Sequence, residues 1–262
     1  MAGFYQTILT RSWTNVAPLA TAVLELVKDH TYHTLGIDYS GVTLAQLTNI
    51  KVKYGGVLYM EFATGTELDL FNQYNGHVAA GGILFIDFEK YNLTSRDARA
   101  LTRLASADPR MGQVTVEVDI ATGTTPVLSS HAIVSDPTSQ GLLRKIQRFT
   151  MSTSGAGTFE FLDLPTDVLL QAIYLQSALV TEVELLIDQK SVWRRTATRN
   201  NRYQTDKKIR TPQTGLFVLD VTEDGDGSPT ISTAANDVRL RVTTSGAATF
   251  PITAEILGPL QA

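Results

Sequence analysis

TNIKVKY, at Thr48–Tyr54, is a short alternating stretch whose pattern returns in the second half of the chain as TEVELLI, at Thr181–Ile187. The same offset relates GILFID, at Gly82–Asp87, to GLFVLD, at Gly215–Asp220. Few residues are identical, yet the apolar positions, the strand-forming residues and the Gly and Asp anchors coincide. Since the chain has 262 residues, this offset of slightly more than half its length is what two tandem copies of one domain would leave. The repeat therefore predicts two small β domains in succession.

Strand signals dominate the rest of the chain. Apolar residues alternate in Ile50–Tyr54, Val114–Ile120, Val238–Val242 and Phe250–Ile256, and turn residues separate these stretches. The chain contains 34 threonines but only 18% charged residues, and such a composition favours sheets whose outer faces carry hydroxyl groups. Many short strands separated by turns are typical of sandwiches and barrels. From this pattern and the size of each copy, we predict an all-β fold of two tandem eight-stranded jelly-roll barrels, a double jelly roll.

One short helix is predicted, in the first half. It begins at Thr94–Asp97, which offers a hydroxyl cap and an acid in the first turn. It continues with an apolar stripe over 101–105 and ends at Asp108-Pro109. A shorter stretch, Thr233–Asn236, occupies a comparable place in the second half.

The domain limits follow from the repeat and from one polar stretch. Ser135–Gly141, which contains Pro and Gly, lies between the two copies. We therefore expect an N-terminal arm at residues 1–15, a first jelly roll at 16–138 and a second at 139–262.

The N-terminal arm is unusually aromatic, with Phe4, Tyr5 and Trp13. Such residues would suit an arm that lies under a neighbouring subunit or near a lipid surface. Packing of the arm back onto its own barrel explains them equally well.

Catalytic chemistry finds little support. The chain has no cysteine, which excludes disulfides, thiol catalysis and Cys-based zinc sites. Its four histidines are His30, His33, His77 and His131. His30 and His33 would point to opposite faces of a strand, and we expect them to be solvent or turn histidines. A metal-dependent bicupin would need an H-x-H motif, which is absent. We assign no catalytic, cofactor-binding or metal-binding residue.

An acidic stretch in the second half resembles the start of a calcium loop. It consists of Glu223 followed by Asp224-Gly225-Asp226-Gly227. The D-x-D spacing offers carboxylate oxygens, but the remainder of the twelve-residue pattern is missing. We interpret it as the tip of an acidic hairpin, with a structural divalent cation such as calcium at Asp224 and Asp226 as the alternative.

A basic segment, 193–210, is the one marked run of charge. Its cations are Arg194, Arg195, Arg199, Arg202, Lys207, Lys208 and Arg210, and only Asp206 opposes them. The segment could be a loop that contacts a neighbouring subunit, a nucleic-acid site or a solvated connection. Because the whole chain carries a net charge of −4, we favour the subunit contact over nucleic acid.

Several stretches, in order and in register, resemble a known family. They are Tyr39–Thr43 with Gln46, Asn49 and Val52, then Asp163–Pro165, Ile187-Asp188, Trp193-Arg194 and Asp237–Val242. From about residue 30 to 257 the chain is similar to the major capsid proteins of corticoviruses, which are tailless, membrane-containing bacteriophages with double-stranded DNA. The arm and residues 121–141 match the family poorly.

The resemblance implies a structural protein and a set of partners. Three chains would form a homotrimer with a pseudo-hexagonal outline, and neighbouring trimers, with a penton protein, would tile an icosahedral shell. The shell would enclose an internal membrane, so contact with lipid or membrane proteins is implied, without specific nucleic-acid binding. The protein would belong to the virion after assembly in the bacterial cytoplasm. Two rivals remain: the bicupin enzyme and a two-domain β-sandwich that binds glycans.

Overall fold

A computed structural model describes residues 5–91, 93–122, 125–226 and 230–260. The first half contains strands β1 (Gln6–Leu9), β2 (Thr21–Glu25), β3 (Thr31–Ser40), β4 (Leu47–Tyr54), β5 (Val57–Thr64), β6 (Ile83–Asp87), β7 (Leu104–Ala105), β8 (Val114–Ile120) and β9 (Val127–Ser135). Its helices are α1 (Gly65–Tyr74) and α2 (Arg96–Ala100), with a 3-10 turn at Leu44–Gln46.

The second half repeats this order. Its strands are β10 (Leu143–Thr153), β11 (Ala156–Phe161), β12 (Leu169–Leu175), β13 (Val180–Ile187), β14 (Lys190–Thr196), β15 (Phe217–Asp220), β16 (Ile231–Ser232), β17 (Val238–Ser245) and β18 (Ala248–Gly258). One helix, α3 (Ala197–Lys207), follows β14 as α1 follows β5.

Each half is a jelly roll of two four-stranded sheets, and the predicted fold class is confirmed. The first barrel has the sheets β1-β9-β3-β6 and β2-β8-β4-β5, with β7 added to β3. The second has β10-β18-β12-β15 and β11-β17-β13-β14, with β16 added to β12. A single parallel bridge between Met60 on β5 and Ile146 on β10 joins the two barrels edge to edge. Each barrel encloses its own apolar core.

The sequence repeat is a repeat of local geometry. The hairpin β4–β5 turns through Gly55 and Gly56, both with positive φ, and the hairpin β13–β14 turns through Asp188 and Gln189, also with positive φ. Positive φ at both central residues is what a two-residue hairpin of this twist requires. The two turns are separated by the same offset as TNIKVKY and TEVELLI, so the sequence repeat reflects two equivalent hairpins.

The helices differ from the prediction. Ser95 caps α2 as expected, but α2 ends at Ala100, because Leu104 and Ala105 instead form strand β7 beside β3. Thr233–Asn236 is not helical. The prediction of one short helix in the first barrel missed α1 and, in the second barrel, α3.

The N-terminal segment packs on its own barrel. Residues Gln6–Leu9 of the predicted arm are strand β1 and pair with β9. Trp13 is buried, and its Nε1 donates to Ser130 Oγ at 3.1 Å. The Tyr5 ring lies 4.4 Å from that of His33, while Phe4 lies outside the described residues. No described helix has the length and apolarity needed to cross a bilayer.

Candidate functional site: the junction between the barrels

One sheet of the second barrel is buried on both faces. On β12, Ile173 and Leu175 point into the second core, whereas Ala172 and Tyr174 join the first. Alternate side chains of a strand point to opposite faces. A sheet covered on both faces therefore consists of nearly continuous buried residues, as β12 and the C-terminal part of β18 do. The outer face of β10-β18-β12-β15 is thus the floor of the junction, and α1 is the element that covers it.

Helix α1 begins at a threonine cap. Thr64 accepts a hydrogen bond from the Glu67 backbone N at 3.1 Å, and the Glu67 side chain reaches the second barrel. There its carboxylate lies 3.2 Å from Arg148 Nε and accepts from Gln176. Glu67 is buried, and Arg148 of the neighbouring barrel compensates its charge.

Aromatic rings form the centre of the contact. Phe71 of α1 stacks on Tyr174 with a centroid distance of 4.4 Å. Tyr74, at the end of α1, meets Tyr174 edge-on at 5.8 Å. All three are buried, and stacked or edge-on pairs of this kind favour a fixed relative position of the elements that carry them.

A first buried charge cluster surrounds Glu255 of β18. Lys90 Nζ lies 2.9 Å and Arg144 Nη2 3.1 Å from its carboxylate, and Tyr174 donates its hydroxyl at 3.0 Å. Burial raises the pKa of Glu255, but the attraction of Arg144 and Lys90 outweighs it and holds that pKa below its usual range. Burial lowers the pKa of Lys90, and the nearby Glu255 carboxylate opposes this shift. Lys90 comes from the first barrel, so the cluster joins both.

A second cluster surrounds Asp220 at the end of β15. Arg210 Nε lies 2.7 Å from Oδ2, and Thr222 donates its hydroxyl and backbone N to Oδ1. Tyr74, of the first barrel, donates to Oδ2 at 3.2 Å. Burial raises the pKa of Asp220, but Arg210 outweighs it, and the carboxyl stays ionised. Removing one partner of such a pair leaves an uncompensated buried charge, which is strongly destabilising.

All four histidines lie beside a carboxylate. His33 is buried between Glu89 and Ser135, so the expectation of a solvent or turn histidine is wrong for His33. His30 is partly exposed beside Asp29. The other two pairs are His77 with Asp87 at 2.7 Å and His131 with Asp38 at 3.1 Å. In the described ranges, no three His, Asp or Glu side chains form a group that could hold a metal ion.

The acidic stretch is a turn at the junction. Glu223 lies 2.8 Å from Arg195, and the carbonyl of Gly225 accepts from the backbone N and hydroxyl of Thr94 in the first barrel. The Asp226 backbone N donates to Asp224 Oδ1 at 3.1 Å. Gly227 lies outside the described residues. A calcium ion at Asp224 and Asp226 stays a prediction.

The basic segment is strand β14 followed by helix α3 rather than a loop. Four of its cations have partners inside the chain: Arg194 with Glu182, Arg195 with Glu223, Arg202 with Asp206, and Arg210 with Asp220. Arg195 also lies over the ring of Tyr203 at 4.8 Å. Arg199, Lys207 and Lys208 are exposed on α3 and at its C-terminal end. The segment therefore has two parts. Arg210 is buried at the junction, and Arg199, Lys207 and Lys208 form an exposed cationic surface.

Sequence reasoning missed the junction residues. Glu255 lies within a stretch interpreted only as a strand, and Lys90 and Arg144 lie outside every stretch that the sequence patterns singled out. A signal existed at Glu255, since one charged residue interrupts the apolar run ITAEIL of β18.

Comparisons with known proteins agree with this architecture. A family model described as the viral coat protein P2 N-terminal domain matches residues 7–135, and one described as the viral coat protein P2 C-terminal domain matches 143–260. The chain is 26% identical, over 238 residues and 87% of each sequence, to the major capsid protein P2 of Pseudoalteromonas phage PM2.

Solved structures show the same fold. The crystal structure of the major capsid protein P2 from Bacteriophage PM2 matches with a TM-score of 0.89 at 22% identity, covering 97% of both chains. The STIV MCP matches with a TM-score of 0.70 at 8% identity, covering 97% of this chain and 96% of that one. At these identities the structures establish the double jelly roll alone.

Proposed function

The chain belongs to the viral coat protein P2 family in both of its halves, and from that premise we propose that three copies form a homotrimer of six similar barrels. Such trimers, with a pseudo-hexagonal outline, would tile an icosahedral shell around an internal membrane and a double-stranded DNA genome. Neighbouring trimers and a penton protein are its partners in this proposal.

The observation that carries the proposal is the pair of equivalent barrels joined by a buried junction. Three chains with two similar barrels each present six similar edges, so one trimer can pack in a hexagonal array. A head-to-tail assembly closes into a ring only when the rotation between its units closes, and a fixed orientation of the two barrels makes that rotation the same in every copy. The clusters around Glu255 and Asp220 and the Phe71–Tyr174 stack supply that constraint.

The test is the mass of the purified protein in solution. Light scattering should give three times the 28.6 kDa mass of the chain, and electron microscopy should show a six-lobed outline. A monomer at every concentration, or a stable twofold dimer, would contradict the proposal.

A structural role without catalysis is part of the same proposal. Each histidine lies beside a different carboxylate, and the four are not gathered as the ligands of one metal ion would be. This does not favour the bicupin alternative. Elemental analysis of purified protein separates the two: a stoichiometric transition metal would favour the enzyme. Binding of a stable monomer to a glycan array would favour the glycan-binding alternative. The comparisons support neither rival.

Location and remaining partners follow from the coat-protein role. The protein belongs to the virion, and we propose assembly in the cytoplasm of a bacterial host. The net charge of −4 gives no general attraction to nucleic acid, so we propose no specific nucleic-acid binding. We also propose contact with the internal membrane or its proteins, which flotation with lipid vesicles tests. A structural calcium ion is tested by calorimetric titration with calcium.

A further inference from the structure

A small cavity lies in the junction, between the end of α1 and the second barrel. Phe71, Asn75 and Tyr91 line it from the first barrel, and Arg144 and Tyr174 line it from the second. About 10 Å³ of this cavity is open to the centre of a water molecule. A single buried water requires roughly 10–15 Å³ by the same measure, so the cavity matches one water and is too small for a larger ligand.

Asn75 contributes a buried acceptor at this cavity. The residue follows the last residue of α1 and is 5% exposed. Its Nδ2 donates to the carbonyl of Phe71 at 2.9 Å. This bond fixes the direction of the amide, because the reversed amide would set two oxygens against each other. Its Oδ1 is buried and accepts no hydrogen bond from any described residue.

Arg144 contributes a buried donor from the other barrel. Its Nη1 donates to the carbonyl of Asp87 at 2.8 Å, and its Nη2 donates to the carboxylate of Glu255 at 3.1 Å. Its Nε is buried and has no acceptor within the part of the chain that the structure describes. Because a guanidinium keeps all of its N–H groups in proteins, Nε is a permanent donor. One cavity is therefore lined by a donor and an acceptor that lack partners.

Water is the ligand that suits both groups. A water molecule accepts from an N–H donor and donates to an amide oxygen. A halide ion could accept from Arg144 but has no hydrogen to donate to Asn75, and a metal cation would be repelled by the guanidinium. Buried waters typically make about three hydrogen bonds to polar groups that otherwise lack partners, whereas cavities that stay dry are apolar.

We propose that one ordered water binds in this cavity, accepts from Arg144 Nε and donates to Asn75 Oδ1. The water links the end of α1 to strand β10, so it is a polar contact between the two barrels in addition to the clusters around Glu255 and Asp220. The site is built from a single chain. It therefore does not depend on the proposed trimer, and a failure of either proposal leaves the other intact.

A crystal structure of the wild-type protein tests the site directly. The map should contain one spherical peak within hydrogen-bonding distance of both Asn75 Oδ1 and Arg144 Nε. A map that shows ordered waters elsewhere in the molecule but no peak here would overturn the proposal. A peak that gives an anomalous signal after a bromide soak would also overturn it, because the ligand would then be a halide ion.

The variant Asn75→Leu removes the acceptor and puts an apolar side chain of similar size at the cavity. The carbonyl of Phe71 keeps the backbone N of residue 75 as its partner at 3.0 Å, so the end of α1 is retained. The peak should be absent from the variant, and the equilibrium constant for folding, measured by urea denaturation, should fall roughly tenfold. The control Asn201→Leu changes an exposed asparagine of α3 and should change that constant by less than about twofold.

The two measurements remain separate. A peak that persists unchanged in Asn75→Leu would show that Asn75 does not bind the water and would overturn the assignment. If Asn75→Leu does not fold, the wild-type map still decides whether the water is present.

Discussion

His77 occupies in the first barrel the place that Arg210 occupies in the second. The two are counterparts in the repeat, and each lies 2.7 Å from the aspartate that ends an equivalent strand, Asp87 on β6 and Asp220 on β15. The Arg210 side chain is fully buried in the junction, whereas that of His77 retains 10% exposure on the outer side of the first sheet. One structural position thus holds a guanidinium inside the junction and an imidazole on the outer side of the first sheet.

Replacing Arg210 by methionine should destabilise the protein strongly. Asp220 would then be a buried carboxylate without its closest cation, a loss of about 3–5 kcal/mol in the free energy of unfolding. Urea denaturation measures it. The control Arg202→Met removes the exposed pair with Asp206 and should cost less than about 1 kcal/mol. Equal losses in the two variants would show that the Asp220 cluster is not critical.

Stability should fall in acid through the junction. The folded pKa of Glu255 is depressed, so its contribution is fully present above the unfolded value of 4.5 and is lost as the pH falls from there toward the folded pKa. Glu255→Gln should be less stable than wild type at pH 7, and the difference should shrink below about pH 4.5. Urea midpoints from pH 3 to 7 measure this. A constant difference across that range would contradict the assignment.

Equivalent sheets of the two barrels carry cross-strand rows of side chains in which the sign of the charge alternates from strand to strand. The rows are Glu61, Lys51 and Glu117 on β5-β4-β8, and Arg194, Glu184 and Arg241 on β14-β13-β17. In each row the central charge lies between two charges of opposite sign. The alternation is therefore the same in both barrels, although every sign is reversed.

Lys51→Glu should therefore cost about 1 kcal/mol, because it places three acids side by side. The double variant Lys51→Glu/Glu61→Lys returns one favourable pair and should recover part of that loss. Thermal melting at low and high salt compares them. Salt should reduce the difference, since exposed charges are screened; a difference that persists at high salt would point to packing instead.

The connection between the barrels is held by Gln140. Its side chain accepts from the Ala105 backbone N at 2.7 Å and donates to the Arg103 carbonyl at 2.9 Å. Gln140→Ala would leave buried backbone groups without partners, at about 1–3 kcal/mol. Limited proteolysis should then cut the connection faster, and the exposed control Gln147→Ala should not change that rate. Unchanged cleavage of Gln140→Ala would show that other contacts hold the connection.

The sequence predicted the architecture because hairpins and alternation are local. The turn at Gly55-Gly56 and the alternating apolar residues of β8 and β17 can be recognised without knowledge of the partner strands. Helix α3 was missed because its residues are polar all round, and only Asn200 and Gln204 of α3 are buried. The end of α2 was missed because Leu104 pairs with Tyr32 of β3, and the helical pattern of the sequence cannot reveal that distant strand.

The junction was missed for a different reason. Arg210 belongs to a basic run and was interpreted with its exposed neighbours, although its side chain is fully buried. The sign of a residue's charge is local information, but its compensation by Asp220 and the approach of Tyr74 depend on how two barrels meet. Only the interruption of an apolar strand at Glu255 gave a local hint.

The sheet that belongs to two cores has a consequence for folding order. Tyr174 and Val218 are built into the second barrel but complete the interior of the first. The aromatic side chains of α1 are covered by Tyr174, so we expect the first barrel to complete its packing only after the second barrel has been synthesised. We therefore expect the two barrels to fold as one cooperative unit, and heating should melt both in a single calorimetric transition.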